Sequence, residues 1–562
     1  MDSWRWTLGG ANMTNIISIY GSHNSTIVLS IDEKIQSIIE VERFTNCKNA
    51  AIAQYKVVNN PHVVMQSIMS WIKKEFGITK VDVCLHQNTE VIYDEITYVM
   101  KSYIDADKYI SVNHHQSHAA GTFYQSPYQD ALIFSFDGGG NDGMFNIYLA
   151  NRTNGVTLID RLINPIHNNP HICYDLGFPY MIFGHYLNDI RLEVLGDGNL
   201  VYPGKLMGLA SYGNINQNWL GHFIDFYKQG ADGNNYGKFI TELGKKIDVV
   251  FDTNARLSGQ LAYDIAATSQ RAFEECFLEV AIPYMQQYPE LPVCITGGCG
   301  LNIILNTRLV NEFNKQVFVG PNPNDCGIAV GALLDYLKPQ HQVDVTYAGI
   351  PLLDLDLLSD YAQSVPTREL TRNQHFNKHF HVSHDIVLND LVNGKIVGVA
   401  RGNSEHGPRA LGNRSILCNP SVANMKDVLN AKVKNREWYR PFAPVVRLED
   451  VNKYFEWDRD ARWMSFCPIV RPDWREQLAA ITHVDNTARV QTVTREENEW
   501  LYDLLTEFEK HTGVGVLLNT SFNVNGKPIL STIKDAFQIY NQTQMDCLLI
   551  EDTYFRKEGF FS

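Results

Sequence analysis

Two histidines four residues apart, His114 and His118 in the run His114-His115-Gln116-Ser117-His118, are the first residues that could do chemistry. On a helix they sit one turn apart on one face, so both imidazoles reach one cation. Two surface histidines would share that spacing, but two carboxylates strengthen the metal reading. Asp137 closes the apolar run Ala131–Phe136 and precedes Gly138-Gly139-Gly140, where a side chain projects from a strand end into a cleft. Asp325 opens the helical stretch 326–336 after Pro321 and Pro323. It reads equally well as a helix N-cap. A His/His/Asp/Asp set suits a divalent metal of intermediate hardness, Fe(II), Mn(II) or Zn(II).

The glycine-bearing turns 137–140, 297–300 and 204–208 let backbone N–H groups approach a phosphate, and the second precedes a helix. Lys205 beside Gly204 would add a counter-charge. His23, in the polar turn 21–25, could act as a base near neutrality or be a turn histidine bonded to backbone. A second constellation lies far downstream. Residues 401–414 read RGNSEHGPRALGNR, followed by Lys432, Lys434, Arg436 and Arg440. Cations broken up by glycine, proline and aromatic residues do not make the i,i+4 pattern of a solvated helix face. Guanidinium groups hold phosphate in bidentate fashion, so in a chain of net charge -14 this run points to a bound polyanion. The bland alternative is a surface patch paired with Glu405 and Glu437. Asn519-Thr520-Ser521-Phe522-Asn523 follows the apolar run Val514–Leu518, at a strand end where an open α/β sheet takes its ligand.

The elements that must position these groups read as α/β. Ile16–Tyr20, Thr26–Ile31, Val81–Leu85, Ala131–Phe136, Val293–Thr296, Lys395–Ala400 and Val514–Leu518 are strand-length apolar runs. Val64, Ile68, Ile72 and Phe76 recur at helical spacing, as do Leu301, Ile304, Leu305 and Leu309. With 562 residues, 44% of them hydrophobic and 20% charged, the chain exceeds one core. Residues 336–356 carry two prolines and no period, which divides the chain into 1–345 and 346–562. The ten cysteines include no C-x-x-C pair or zinc-ligand spacing. No apolar run spans a bilayer, and the N-terminus lacks a signal-peptide core, so a cytoplasmic location with reduced thiols is expected. The acidic balance does not indicate a nucleic-acid partner, although a local basic groove could still take one.

Beyond these readings, the motifs resemble in order those of the nodulation-type and antibiotic-type O-carbamoyltransferases. The marks are SHNST at 22–26, EVERF at 40–44, HHQSHAA at 114–120, FDGGG at 136–140, GKLMGLASYG at 204–213 and GGCGLN at 297–302. They continue with PNDCGIAVGA at 323–332, GPRALGNRSIL at 407–417, REWYRPFAPV at 436–445, HVDNTARVQTV at 483–493 and NTSFNVNGKPI at 519–529. The resemblance implies an N-terminal ASKHA domain (actin/hexokinase-like, a duplicated RNase H-like fold) and a C-terminal YrdC-like domain. The second would make carbamoyl-adenylate from ATP, with Mg2+, and carbamoyl phosphate. The first would pass the carbamoyl group to an acceptor hydroxyl, on a small metabolite or sugar or on a hydroxymethylated nucleobase. Carried over residue by residue, the metal ligands are His114, His118, Asp137 and Asp325, with iron (Fe2+) the usual occupant. Lys205, Gly297, Gly298 and Asn302 match the adenylate-contacting segments, and His23 the base. Arg409 and Lys434 match catalytic cations, and Arg414, Ser415, Arg436, Arg440, Asn519, Ser521 and Asn523 the nucleotide-binding set. A homodimer is expected. His406 before GPR, where an aromatic residue is usual, and Cys326 after Asp325, where a smaller one is, depart from the pattern. Two other readings use the same residues: a threonylcarbamoyl transferase acting on tRNA, and an inactive nucleotide-binding ASKHA protein.

Overall fold

The structure is a computed structural model that describes residues 14–52, 60–87, 93–163, 174–190, 198–229, 236–358, 360, 367–371 and 384–557. Residues 1–13, Met13 among them, and parts of the stretch 151–200 lie outside them. It is mixed α/β, with three mixed sheets. The first has the order β3-β2-β1-β4-β5, from β1 (Asn15–Tyr20), β2 (Thr26–Ile31), β3 (Lys34–Glu40), β4 (Val81–Gln87) and β5 (Ala106–Val112). The second has the order β10-β9-β6-β7-β8, from β6 (Asp130–Phe136), β7 (Phe145–Asn151), β8 (Gly155–Arg161), β9 (Val293–Thr296) and β10 (Val317–Phe318). Read from β1 and β6, the two repeat one plan: an antiparallel three-strand meander with two parallel strands added to its first strand. β1 is largely apolar because both faces are covered. Ile16 and Tyr20 enter one core, and Ile17 and Ile19 the other.

The third sheet has eight strands in the order β11-β18-β17-β12-β13-β16-β14-β15. They are β11 (Thr367–Thr371), β12 (Val397–Ala400), β13 (Arg414–Cys418), β14 (Ala443–Arg447), β15 (Gln491–Val493), β16 (Val516–Ser521), β17 (Cys547–Ile550) and β18 (Thr553–Lys557). Two expected strands are displaced toward their C-terminal ends. The run read as starting at Lys395 begins at Val397, after Gly394 turns at φ +75°. The run read as Val514–Leu518 begins at Val516 and reaches Ser521, because Asn519, Thr520 and Ser521 pair with β13 despite their polarity.

Within residues 336–356, read as a boundary, the stretch 338–344 is mostly exposed while 345–350 form a largely buried seam. Ile38 N donates to Ala348 O at 2.8 Å on the β3 edge, while Gly349 N donates to Ser404 O and His406 N to Thr346 O. No helix among the described residues is long and apolar enough to cross a membrane.

Candidate active site

The two histidines begin the helix His114–Gln125, which is buried almost all round. Two glycines let it approach its neighbour, the helix Ile328–Leu337. A Cβ on Gly331 would lie 1.9 Å from Ser117 O, and one on Gly121 would lie 3.1 Å from Gly331 Cα. Only glycine allows that contact, and it carries Asp325, in the 3-10 turn before the second helix, up to His118. Asn324 occupies the cap position of that turn, so Asp325 is not the N-cap. Its carboxylate faces the histidines instead.

One ligand atom from each of His114, His118, Asp137 and Asp325 lies within 4.8 Å of the others, a group able to hold a metal ion. The Nε2 atoms of the histidines are 3.2 Å apart. His118 Nε2 is 3.4 Å from Asp137 Oδ2 and 3.4 Å from Asp325 Oδ1. The same atom of His114 stands 3.9 Å and 3.7 Å from them. Burial works against charge on His118, yet hydrogen bonding and attraction to the two carboxylates push its pKa up to about 9. Burial likewise works to raise Asp137, but hydrogen bonds to His114 and His118 hold it well below the usual carboxylate range. The site demands positive charge between its ligands.

Its surroundings fit a cation. Gln87 Nε2 lies 3.1 Å from His114 Nδ1, while Gln87 Oε1 is buried without a partner. Turning that amide over would let Oε1 accept from Nδ1–H and leave Nε2 bare as a ligand. Tyr20 OH donates to Asp325 Oδ2 at 2.5 Å, and Gly138 N and Gly298 N each donate to Asp137 at 2.6 Å. Gly297 has φ +85° and would set a Cβ 2.1 Å from Phe136 O, so this turn can only close over Asp137 as glycine. His23 Nε2, partly exposed, is 3.4 Å from Asp325 Oδ2. Asn302 serves locally: its Oδ1 caps the helix Ile303–Phe313 by accepting from Leu305 N, and its amide is bonded to Gln270.

The downstream cations converge, with unequal roles. Arg409 and Arg489 are half-buried and make no hydrogen bond or ion pair among the described residues. Burial and the neighbouring Arg440 push Arg409 down to about 10. Burial, then Arg409 and Arg440, also hold Arg489 well below the usual guanidinium range. Arg436 is depressed by burial, then by Arg440 and Arg489, while its Nε donates to Asn430 Oδ1 at 2.7 Å. Lys434, buried at the end of a π-helical turn, donates to Ser521 O at 2.6 Å, Asn523 Oδ1 at 2.6 Å and Asn523 O at 2.9 Å. It therefore fastens the 519–523 turn.

Three residues carried over as nucleotide ligands are placed in supporting positions. Arg414 is fully buried and donates to the carbonyls of Arg401 (2.7 Å), Gly402 (2.8 Å) and Asn413 (2.9 Å), which holds the 401–413 loop. Ser415 Oγ accepts from Gly412 N, and the Asn519 amide donates to Ala410 O and Gln491 Oε1. Arg489, Tyr20 and Gln87 were not singled out from sequence, and Glu437 was read only as a counter-charge to the basic run. Arg489 lies within a quoted motif but is a single cation in a polar run, and the others gain their roles from partners distant in sequence.

Lys205, buried on the helix Tyr202–Ala210, donates to Ile190 O at 3.1 Å and ion-pairs with Glu437. The upstream and downstream halves thus meet at this lysine.

Two family models match the chain: Carbamoyltransferase N-terminus over residues 61–334 and Carbamoyltransferase C-terminus over residues 388–557. The nodulation protein NolO of Bradyrhizobium diazoefficiens is 33% identical over 463 residues, 79% of this chain and 79% of that protein. The 3'-hydroxymethylcephem-O-carbamoyltransferase of Amycolatopsis lactamdurans is 34% identical over 420 residues, 68% of this chain and 75% of that protein. Among solved structures, T. kodakarensis HypF matches with 14% identity and a TM-score of 0.39, over 59% of this chain and about half (49%) of that one. That likeness carries no argument.

Proposed function

The chain belongs to the carbamoyltransferase family and is a transferase, and from that premise we propose that it is an ATP-dependent O-carbamoyltransferase with one reaction in each half. The observation that carries the reading is the pair Arg409 and Arg489. Two half-buried guanidiniums with no acceptor among the described residues, crowded by Arg440, are costly unless an anion neutralises them.

In this reading ATP and carbamoyl phosphate meet at that cluster. Balance requires one water: carbamoyl phosphate releases phosphate, the carbamate oxygen attacks the α-phosphorus, and pyrophosphate leaves. Arg409, Arg489 and Arg440 hold the phosphates and oppose the charge that builds up on them, while Lys434 keeps the 519–523 turn in place. At the upstream site, the acceptor hydroxyl attacks the carbamoyl carbon, its carbon–oxygen bond to AMP breaks, and the hydroxyl proton passes to His23 Nε2. His114, His118, Asp137 and Asp325 would hold a divalent metal, iron by resemblance, which when bound polarises the group undergoing attack. The repeated five-strand plan supports an ASKHA reading of residues 1–345, and a YrdC-like reading of 346–562 belongs to the same proposal. The hydroxymethyl acceptor in the name of the cephem enzyme supports an acceptor among small hydroxyl compounds, and the motif resemblance extends that class to sugars.

The test is pyrophosphate release from ATP and Mg2+, with and without carbamoyl phosphate. Release that needs carbamoyl phosphate and is lost in Arg409→Ala supports the proposal. Its absence from folded protein rejects the donor chemistry.

A further inference from the structure

Residues 435–441 lie across the helix Tyr202–Ala210 and its flanks. Tyr439 OH donates to Asp189 O at 3.1 Å, and its ring would be 3.7 Å from a Cβ on Gly208. The Trp438 ring stands edge-on to Tyr212 at 5.0 Å. The same short segment contributes Arg436 and Arg440 to the cation cluster. Between them stands Glu437, whose two oxygens face different halves. Oε1 pairs with the buried Lys205. Oε2 is buried, makes no hydrogen bond, and lies 3.6 Å from Arg440 Nη1.

A carboxylate at that distance from Arg440 competes with any polyphosphate for it. An incoming anion supplies negative charge to Arg440 and repels Glu437, which leaves Lys205 as the stronger partner. We propose that Glu437 is a positioning residue: polyphosphate on the arginine cluster takes Arg440 from it and leaves its carboxylate paired with Lys205 alone, which holds the helix Tyr202–Ala210 more firmly against residues 435–441. Occupancy of the downstream site is thereby reported to the upstream helix that carries Lys205. This rests on the anion-binding reading above and adds its regulation.

The probe is inorganic tripolyphosphate, with binding measured by calorimetry and backbone hydrogen exchange followed over residues 202–210. In the unaltered protein, tripolyphosphate should slow exchange in that helix. Glu437→Gln should bind tripolyphosphate severalfold more tightly, because a competing charge is gone, yet lose the added protection. Lys205→Met should lose the protection as well, and serves if the glutamine variant does not fold. Equal protection in the variants, or binding to the unaltered protein without protection, overturns the coupling alone. If the unaltered protein binds no tripolyphosphate, the anion site fails and the coupling with it.

Discussion

At the scale of single residues, identity proved more legible than role. The four groups of the metal-like cluster stood out in sequence, the histidines by their spacing and the aspartates by their places at the end of a strand and the start of a helix, and the structure brings all four together. The cations were harder to sort. Arg409, Arg414 and Arg489 look alike in sequence, but Arg414 is bound to three backbone carbonyls while the others have no acceptor among the described residues. A sequence does not show whether a guanidinium meets main chain or cleft. Two outcomes follow. Arg489→Ala should weaken ATP binding roughly tenfold to a hundredfold, the worth of one charge-assisted contact, whereas Arg414→Ala should chiefly lower the melting temperature. Calorimetry and thermal melts on both variants separate the roles. At the other site, His118→Ala and Asp325→Asn should hold little or no metal after chelator treatment and reloading with Fe(II), Mn(II) or Zn(II). Elemental analysis checks this without any turnover assay.

Elements bring the metal-like cluster together by close packing, and that part was only half legible. The periodicity pointed to helices at the right places. The glycines at 121 and 331 read as ordinary small residues, because what they allow depends on a neighbour more than 200 positions away. Their spacing predicts a sharp penalty: a methyl at 331 would need room where Ser117 O already stands at 1.9 Å. Gly331→Ala should therefore cost about 3 kcal/mol of stability by overpacking and should also weaken metal binding, since the helices that carry His118 and Asp325 must part. Gly204→Ala, where a Cβ meets nothing within 4 Å, is the matched control. Denaturant midpoints and metal titrations on the pair would show whether helix separation sets the site.

At the scale of the whole molecule, the stretch 336–356 was read as a boundary from its prolines and lack of period, and that composition did not reveal that residues 345–350 within it are held by hydrogen bonds to both halves. Arg43 donates to the carbonyls of Glu405 and Gly407, and Gly407 N donates to Glu40 at 2.8 Å. Burial works to raise the Glu40 carboxyl, but Arg43 and His406 hold it down at about 2, against an ordinary 4.5. A lowered carboxylate stabilises the fold fully above its unfolded pKa, and the gain is lost as pH falls from about 4.5 toward 2, on the order of 3 kcal/mol in all. Unfolding free energies across that window should slope less in Glu40→Gln than in the unaltered protein. The seam has one more consequence. β3 is the outer strand of its sheet, and residues 345–350 cover its hydrogen-bonding edge. Cut after residue 345, the upstream half would present a bare strand able to recruit copies of itself. Chimaeras that exchange the downstream half should keep residues 345–350 with the upstream one, or the exposed edge will make them aggregate.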